Sequence, residues 1–261
     1  MVNTLPKISV ITPSFNQADF IEQTIRSVLE QDYPALEYVV VDGGSSDGTL
    51  DILSRYAGRL TWISEPDRGQ AHAINKGLRM ASGEVLAFLN SDDLYLPGAL
   101  HSVGNYFSQH PDAGWLSGRC RNINESGQEI RQVIRAYKNI WLRLASYRAL
   151  LILNYVAQPA TFWRRAAMQS CGLLNEDLHY TMDYEFWLRL GRSYKLHVLN
   201  QDLAAFRLHG ASKSGTTAHK QFDEELAVAR RYGSPLTTLL HRMHNTIIVW
   251  VYRYLLKIKD P

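Results

Sequence analysis

Four times in the first hundred residues, an apolar β-rich run stops at a polar turn and gives way to a helical pattern. Ile8-Ser9-Val10-Ile11 stops at Thr12-Pro13-Ser14, and Leu36-Glu37-Tyr38-Val39-Val40-Val41 stops at Asp42-Gly43-Gly44. Leu60-Thr61-Trp62-Ile63 stops at Ser64-Glu65-Pro66-Asp67, and Val85-Leu86-Ala87-Phe88-Leu89 stops at Asn90-Ser91-Asp92-Asp93. Strands separated by helices of this length are joined by crossovers, which predicts an α/β fold with a mostly parallel sheet flanked by helices. Parallel strands send their carboxyl ends to one rim, the place where open α/β sheets bind ligands. The four polar turns are therefore expected to meet.

The intervening segments carry their own signals. Ile21, Ile25, Val28 and Leu29 share one helical face, with Asn16 as the expected cap and Asp19 three residues on. Ser45 to Thr49 open a second helix, and Asp67 with Gln70 reads as a capping box for a third that buries Ala71, Ile74 and Leu78.

Beyond about Pro111 the rhythm changes. Gly114 to Val133 reads as strands around a turn at Asn124-Glu125-Ser126-Gly127, and Lys195 to Phe206 as a late strand. Helical patterns cover Tyr137 to Leu153, Arg164 to Cys171, Asp183 to Arg192, Ala218 to Tyr232 and Leu236 to Ile258. The expected organisation is a ligand-binding lobe over 1–110, a second, helix-rich lobe continuous with it over 111–217, and a helical appendage over 218–261.

Composition bounds the function. Of 261 residues, 46% are hydrophobic and 20% charged, as in a soluble globular protein. The 28 basic against 25 acidic side chains leave a net charge of +3, too little to argue for nucleic acid. Cys120 and Cys171 form no CxxC pair, so a reduced, cytoplasmic protein is expected. No basic-then-apolar leader precedes the first strand, and no run approaches the roughly 18 apolar residues of a membrane span. GxGxxG and GxxxxGK[ST] are both missing, so a bound nucleotide would be held by side chains and a metal rather than by a glycine loop.

Taken together, Thr12-Pro13-Ser14-Phe15-Asn16, Val41 to Thr49, Ser64-Glu65-Pro66-Asp67-Arg68-Gly69, Leu89-Asn90-Ser91-Asp92-Asp93 and Met182 to Arg189 resemble the family 2 glycosyltransferases of the GT-A fold, in particular bacterial enzymes of surface-polysaccharide assembly. The resemblance implies a nucleoside diphosphate sugar as donor and a saccharide or lipid-linked saccharide as acceptor. It places Pro13, Ser14, Asp42, Asp67 and Arg68 around the nucleotide, with Asp42 on the base. Asn90-Ser91-Asp92 stands where the family carries DxD. Asn90 replaces the first acid and keeps the ability to hydrogen-bond a ribose, while Asp92 is the expected ligand of Mg²⁺ or Mn²⁺ and Asp93 its supporting neighbour. His209 resembles a late loop element that approaches the metal or the diphosphate, and Gln158-Pro159-Ala160-Thr161-Phe162 one at the mouth of the acceptor site.

Displacement at an anomeric carbon needs a base for the acceptor hydroxyl. Asp183 aligns with the family's catalytic acid, and Glu185 is placed to brace Arg189 four residues on. A single base and no evident nucleophile, with the family, imply an inverting transfer. Two rivals stay open: a sugar nucleotidyltransferase, which would usually show an early Gly-rich basic loop, and a non-catalytic sugar-nucleotide-binding protein. Finally, Leu236, Leu239, Leu240, Met243, Ile247, Trp250, Tyr254 and Ile258 fall on one helical stripe, with Arg242, Arg253, Lys257 and Lys259 nearby. That stripe either packs on the domain or makes a peripheral contact with the inner face of the membrane.

Overall fold

The computed structural model describes residues 4–210 and 218–251. Its first half runs β1 (Ile8–Ser14), α1 (Ile21–Leu29), β2 (Leu36–Asp42), α2 (Thr49–Arg55), β3 (Thr61–Ser64), α3 (Gln70–Met80) and β4 (Val85–Phe88). These strands lie in the order β3-β2-β1-β4, all parallel. The pairings Ser14 with Asp42 and Asp42 with Ser64 bring three strand ends level, so the polar turns do meet at one rim.

The second half adds β5 (Leu94–Tyr95), α4 (Ala99–Gln109), β6 (Trp115–Ile123), β7 (Glu129–Ile130), α5 (Gln132–Leu144), α6 (Tyr147–Leu150), β8 (Thr161–Arg164), α7 (Arg165–Cys171), α8 (Met182–Ser193) and β9 (Leu196–Arg207). α9 (Ala218–Tyr232) and α10 (Pro235–Trp250) follow. The sheet continues past β4 through β8, β6, β9 and β5, with β8 antiparallel to both its neighbours and β6 parallel to β9. Parallel pairing therefore dominates the first half, and the later strands are mixed.

β4 and β5 are joined by only Leu89–Asp93, yet three strands separate them in the sheet. A flat sheet would set them about 19 Å apart at ordinary strand spacing. The link cannot run fully extended over that distance, because it turns on itself where Asp93 N–H donates to the Asn90 carbonyl at 3.1 Å. The sheet consequently curls, bringing β5 back toward β4.

Alternating side chains of the central strands feed two cores, one on each face. Ile8, Val10, Val85 and Ala87 pack with α1 and α4. Ile11, Leu86, Phe88 and Trp163 pack with α3 and α8. Trp187 of α8 stacks on Trp115 at 5.7 Å between ring centres, and Phe186 meets Trp163 edge-on at 5.2 Å. These anchors fix α8, and with it Asp183, against the sheet.

Several local expectations are corrected. Asn16 does not cap α1: it holds a left-handed φ of 52°, and its Oδ1 accepts from Ser46 N–H at 2.9 Å, so its side chain serves the neighbouring loop. The Asp67–Gln70 capping box is not formed, because Gly69 occupies the cap position and the Gln70 amide donates to Asn90 Oδ1 at 2.6 Å instead. The helix expected from Tyr137 begins at Gln132 and stops at Ala145, whose φ of 45° breaks it before α6.

The described part of the C-terminal stripe faces largely outward. Leu236, Leu239, Leu240, Met243, Ile247 and Trp250 are between 38% and 64% exposed, while His241 on the other side of α10 is fully buried. Tyr252 to Ile258 lie outside the described residues. No described helix is long and apolar enough to cross a membrane.

Candidate active site

The loops at the rim are built around Asp42. Its Oδ2 accepts from Gly44 N–H at 3.0 Å, Ser45 N–H at 2.9 Å and the Ser64 hydroxyl at 2.7 Å, and its Oδ1 accepts from the Ser45 hydroxyl. The carboxylate is fully buried, its acceptor positions taken up in tying β2, its following loop and β3 together. Asp42 thus shapes the loop after β2, where the resemblance puts the base.

Asp67 does face the site. Its Oδ1 accepts from Gly69 N–H at 2.7 Å, and it approaches Gly43 so closely that a Cβ there would lie 2.6 Å from its Oδ2. A side chain at position 43 would have to displace Asp67, with the exposed ring of Phe15 only 3.3 Å away as well. Arg68 turns away, forming an exposed ion pair with Glu176.

After β4, Asn90 is a hub: it accepts from Gln70 and donates to Asp93 Oδ2 at 3.2 Å and Gln158 Oε1 at 3.3 Å, while the Gln158 amide donates to the Phe88 carbonyl at 2.6 Å. Asp93 is buried and accepts from Arg207 N–H at 2.9 Å. Burial and the neighbouring Asp92 charge push its carboxyl well above the usual range, which fits a loop-orienting role rather than ligation. Arg207 supplies a signal that the sequence did not reveal: its buried guanidinium donates to the Asp92 and Glu125 carbonyls and to Gln23 Oε1 at 2.7–2.8 Å, and rests over Phe20.

So held, Asp92 presents its carboxylate to His209, with Oδ2 and Nε2 2.9 Å apart. Phe20 packs against the imidazole at 4.5 Å between ring centres.

Pro13, Ser14, Asp67, Asn90, Ser91, Asp92, His209 and Asp183 line one cavity of about 690 Å³. Asp42, Arg68, Asp93 and Glu185 do not line it. Among the described residues, Ser14 Oγ, Gln17 Oε1 and Asn154 Oδ1 on its wall are buried without a protein hydrogen-bond partner. Buried polar atoms left in this state mark a surface suited to a polar ligand.

Across from the sheet, α5, α8, α9 and α10 close the cavity. Asp183 lies in the first turn of α8 and accepts from Tyr184 N–H at 2.7 Å. Burial pushes its carboxyl up to about 6, against the pull of that N–H and of the Lys138 charge. Glu225 of α9, another wall residue not anticipated, is pushed up to about 7 by burial and by the Asp183 charge, with Lys138 opposing. Glu224 accepts from the backbone of His179, Tyr180 and Thr181 and so fixes the approach to α8. Glu185 is buried away from the cavity, paired with Arg189 at 2.8 Å, and Arg189 also donates to the Leu173 carbonyl. That is the bracing arrangement its spacing implied.

The donor set can be tested against a divalent cation. Asp92 Oδ2 and His209 Nε2 lie 2.9 Å apart, a carboxylate and an imidazole close enough to share one cation. Among the described residues no cluster of three or more His, Cys, Asp or Glu side chains could hold a metal. A pair of protein ligands suits Mg²⁺ or Mn²⁺ when phosphate oxygens and water complete the shell. The residues fit such an ion, provided that a phosphate-bearing ligand accompanies it.

A curled α/β sheet flanked by helices, with the Asp92 loop at its carboxyl rim, defines the GT-A class of glycosyltransferase fold. The chain belongs to glycosyl transferase family 2, whose profile matches residues 9–171. It is 46% identical over 98 residues to the putative teichuronic acid biosynthesis glycosyltransferase TuaG of Bacillus subtilis, covering 36% of this chain and 38% of that one. It is 27% identical over 250 residues, 93% of each chain, to a PGL/p-HBAD biosynthesis glycosyltransferase of Mycobacterium bovis. Among solved structures, the mannosyltransferase PcManGT of Pyrobaculum calidifontis, in complex with GDP-Man and Mn²⁺, shares the fold with a TM-score of 0.68 and 24% identity over 91% of this chain and 69% of that one. The chain spans 37% and 38% of the lengths of two of the curated relatives that it matches.

Proposed function

We propose that the chain transfers one sugar, with inversion, from a nucleoside diphosphate sugar to a hydroxyl of a saccharide or lipid-linked saccharide in cell-surface polysaccharide or glycolipid assembly. The observation that carries this reading is a single cavity holding the Asp92–His209 pair at one site and the Asp183 carboxyl, raised to about 6, at another. PcManGT, of the same fold, takes a nucleotide sugar with Mn²⁺, and the names of TuaG and the Mycobacterium bovis enzyme point to cell-surface glycans.

In this reading Pro13, Ser14 and Asp67 receive the nucleotide, with Asp42 and Gly43 shaping the slot and Asn90 and Ser91 beside the ribose. Asp92 and His209 would hold a Mg²⁺ or Mn²⁺ ion, which supplies countercharge to the departing diphosphate. Asp183 accepts the proton of the acceptor hydroxyl as its oxygen bonds to the anomeric carbon and the diphosphate leaves with the electron pair of the breaking bond. Its raised pKa suits that task, since a base close to neutrality is both ionised and willing to take a proton.

Release of nucleoside diphosphate, measured with Mn²⁺ across a panel of sugar nucleotides with and without an acceptor extract, tests the proposal. Acceptor-stimulated release supports it. Binding without release under every combination points to a non-catalytic binder, and pyrophosphate release points to a nucleotidyltransferase.

A further inference from the structure

Two helices that wall the cavity turn apolar faces outward. On α10 the exposed stripe lies opposite His241, the fully buried residue through which that helix seats on the domain. On α5, Val133, Ile140 and Leu144 recur at helical spacing and are 59–70% exposed. The stripes adjoin: Tyr137, on the same face of α5, hydrogen-bonds His244 of α10 at 3.0 Å and stacks on its ring. Exposed apolar surface of this kind, continuous over two helices, marks an interaction site rather than ordinary scatter.

The charges at its border select the occupant. α5 and α10 contain no Asp or Glu, and Arg143 and Arg242 are exposed beside the two stripes. A second copy docked about a two-fold axis would bring like cations to the same face, with no carboxylate on either helix to receive them. A surface that is apolar in its depth and anionic at its edge satisfies both features. We propose that α5 and α10 together form an interfacial docking face for an anionic lipid bilayer. Tyr137, Lys138, Asn245 and Ile248 of the same two helices line the cavity, so docking sets the cavity against the lipid surface.

Flotation of the full chain with phosphatidylcholine vesicles, and with phosphatidylcholine mixed equally with phosphatidylglycerol, reads this without reference to any transfer activity. The wild type should float with the anionic vesicles and be recovered at roughly a tenth of that level or less with the neutral ones. Leu239→Glu with Ile247→Glu, and separately Ile140→Glu, should each lower flotation about tenfold while leaving thermal unfolding unchanged, because every substituted position is already exposed. Arg143→Glu with Arg242→Glu provides a second arm that leaves the apolar stripes intact and should also release the protein. Wild type that stays at the bottom of the anionic gradient overturns the proposal. So do variants that float as well as wild type, or a concentration-dependent dimer that these substitutions dissociate while flotation stays the same.

Discussion

The two sides of the cavity handle their carboxylates in opposite ways. On the sheet side, Asp42 and Asp93 are wholly buried and spend their oxygens on backbone N–H groups, hydroxyls and the Asn90 amide. They fix loops, even though burial and the Asp92 charge raise the Asp93 pKa as well. On the helical side, Asp183 and Glu225 face the cavity with far less hydrogen bonding, and burial drives both pKa values toward neutrality. Saturated acids make a frame, whereas under-served acids are available for proton transfer. Asp92 shares features of both groups: its carbonyl is locked by Arg207, while its carboxylate reaches His209.

The strongest challenge to this division is Asp92→Ala. It should lower turnover by roughly 10³-fold and weaken metal-dependent nucleotide binding, and a chelator should do the same to the wild type. Full turnover in excess chelator would remove the metal from the reading.

Next comes Asp183→Asn, expected to cut kcat by roughly 10²-fold with calorimetric affinity for nucleotide and metal preserved. In the wild type, turnover should be full above pH about 6 and drop as Asp183 is protonated below it. The stability linkage has the opposite sign. A carboxyl whose folded pKa is raised contributes stability that is present at acid pH and lost as pH rises through about 6. A pH–rate profile beside a pH–melting series separates these two trends. A rate that is flat down to pH 4 would deny Asp183 the role of base.

A smaller effect is expected from Arg207→Met. Losing its donors to the Asp92 and Glu125 carbonyls and Gln23 should cost about 2–4 kcal/mol in denaturant unfolding and reduce turnover roughly tenfold through the loosened Asp92 loop. Smallest of all is Glu185→Gln, which keeps a partner for Arg189 outside the cavity. It should lower the melting temperature by a few degrees and change turnover less than about twofold. A larger loss of turnover from Glu185→Gln than from Asp183→Asn would invert the comparison.

Much of the sheet side was legible in the sequence because strand ends announce themselves: an apolar run followed by Asp-Gly-Gly or Asn-Ser-Asp can hardly be read otherwise. The destination of each side chain was not legible. Asp42 and Asp67 occupy similar turns, yet one is sealed inside its loop and the other faces the cavity, a difference set by where Ser64 and Gly43 happen to lie. The helical side was harder still. Asp183 was found through the family motif around it, whereas Lys138, Glu225 and Arg207 sit in ordinary helix and strand patterns and converge only after folding. The outward stripe of α10 was visible as a stripe, but whether it packs inward depends on His241 and its neighbours taking the opposite face.

The curl of the sheet has a consequence for how this site can move. From β4 to β5 there are two routes, one covalent through Leu89–Asp93 and one across β8, β6 and β9, and together they close a loop of connectivity. A closed circuit of this kind is overdetermined: Asp92 cannot drift without stretching a short tether or breaking strand pairs on the far side of the ring. Whatever adjustment is needed to admit and release large ligands must therefore fall on the part of the enclosure that belongs to no such circuit. That part is α9 and α10, which follow the last strand and lie outside the sheet's pairing.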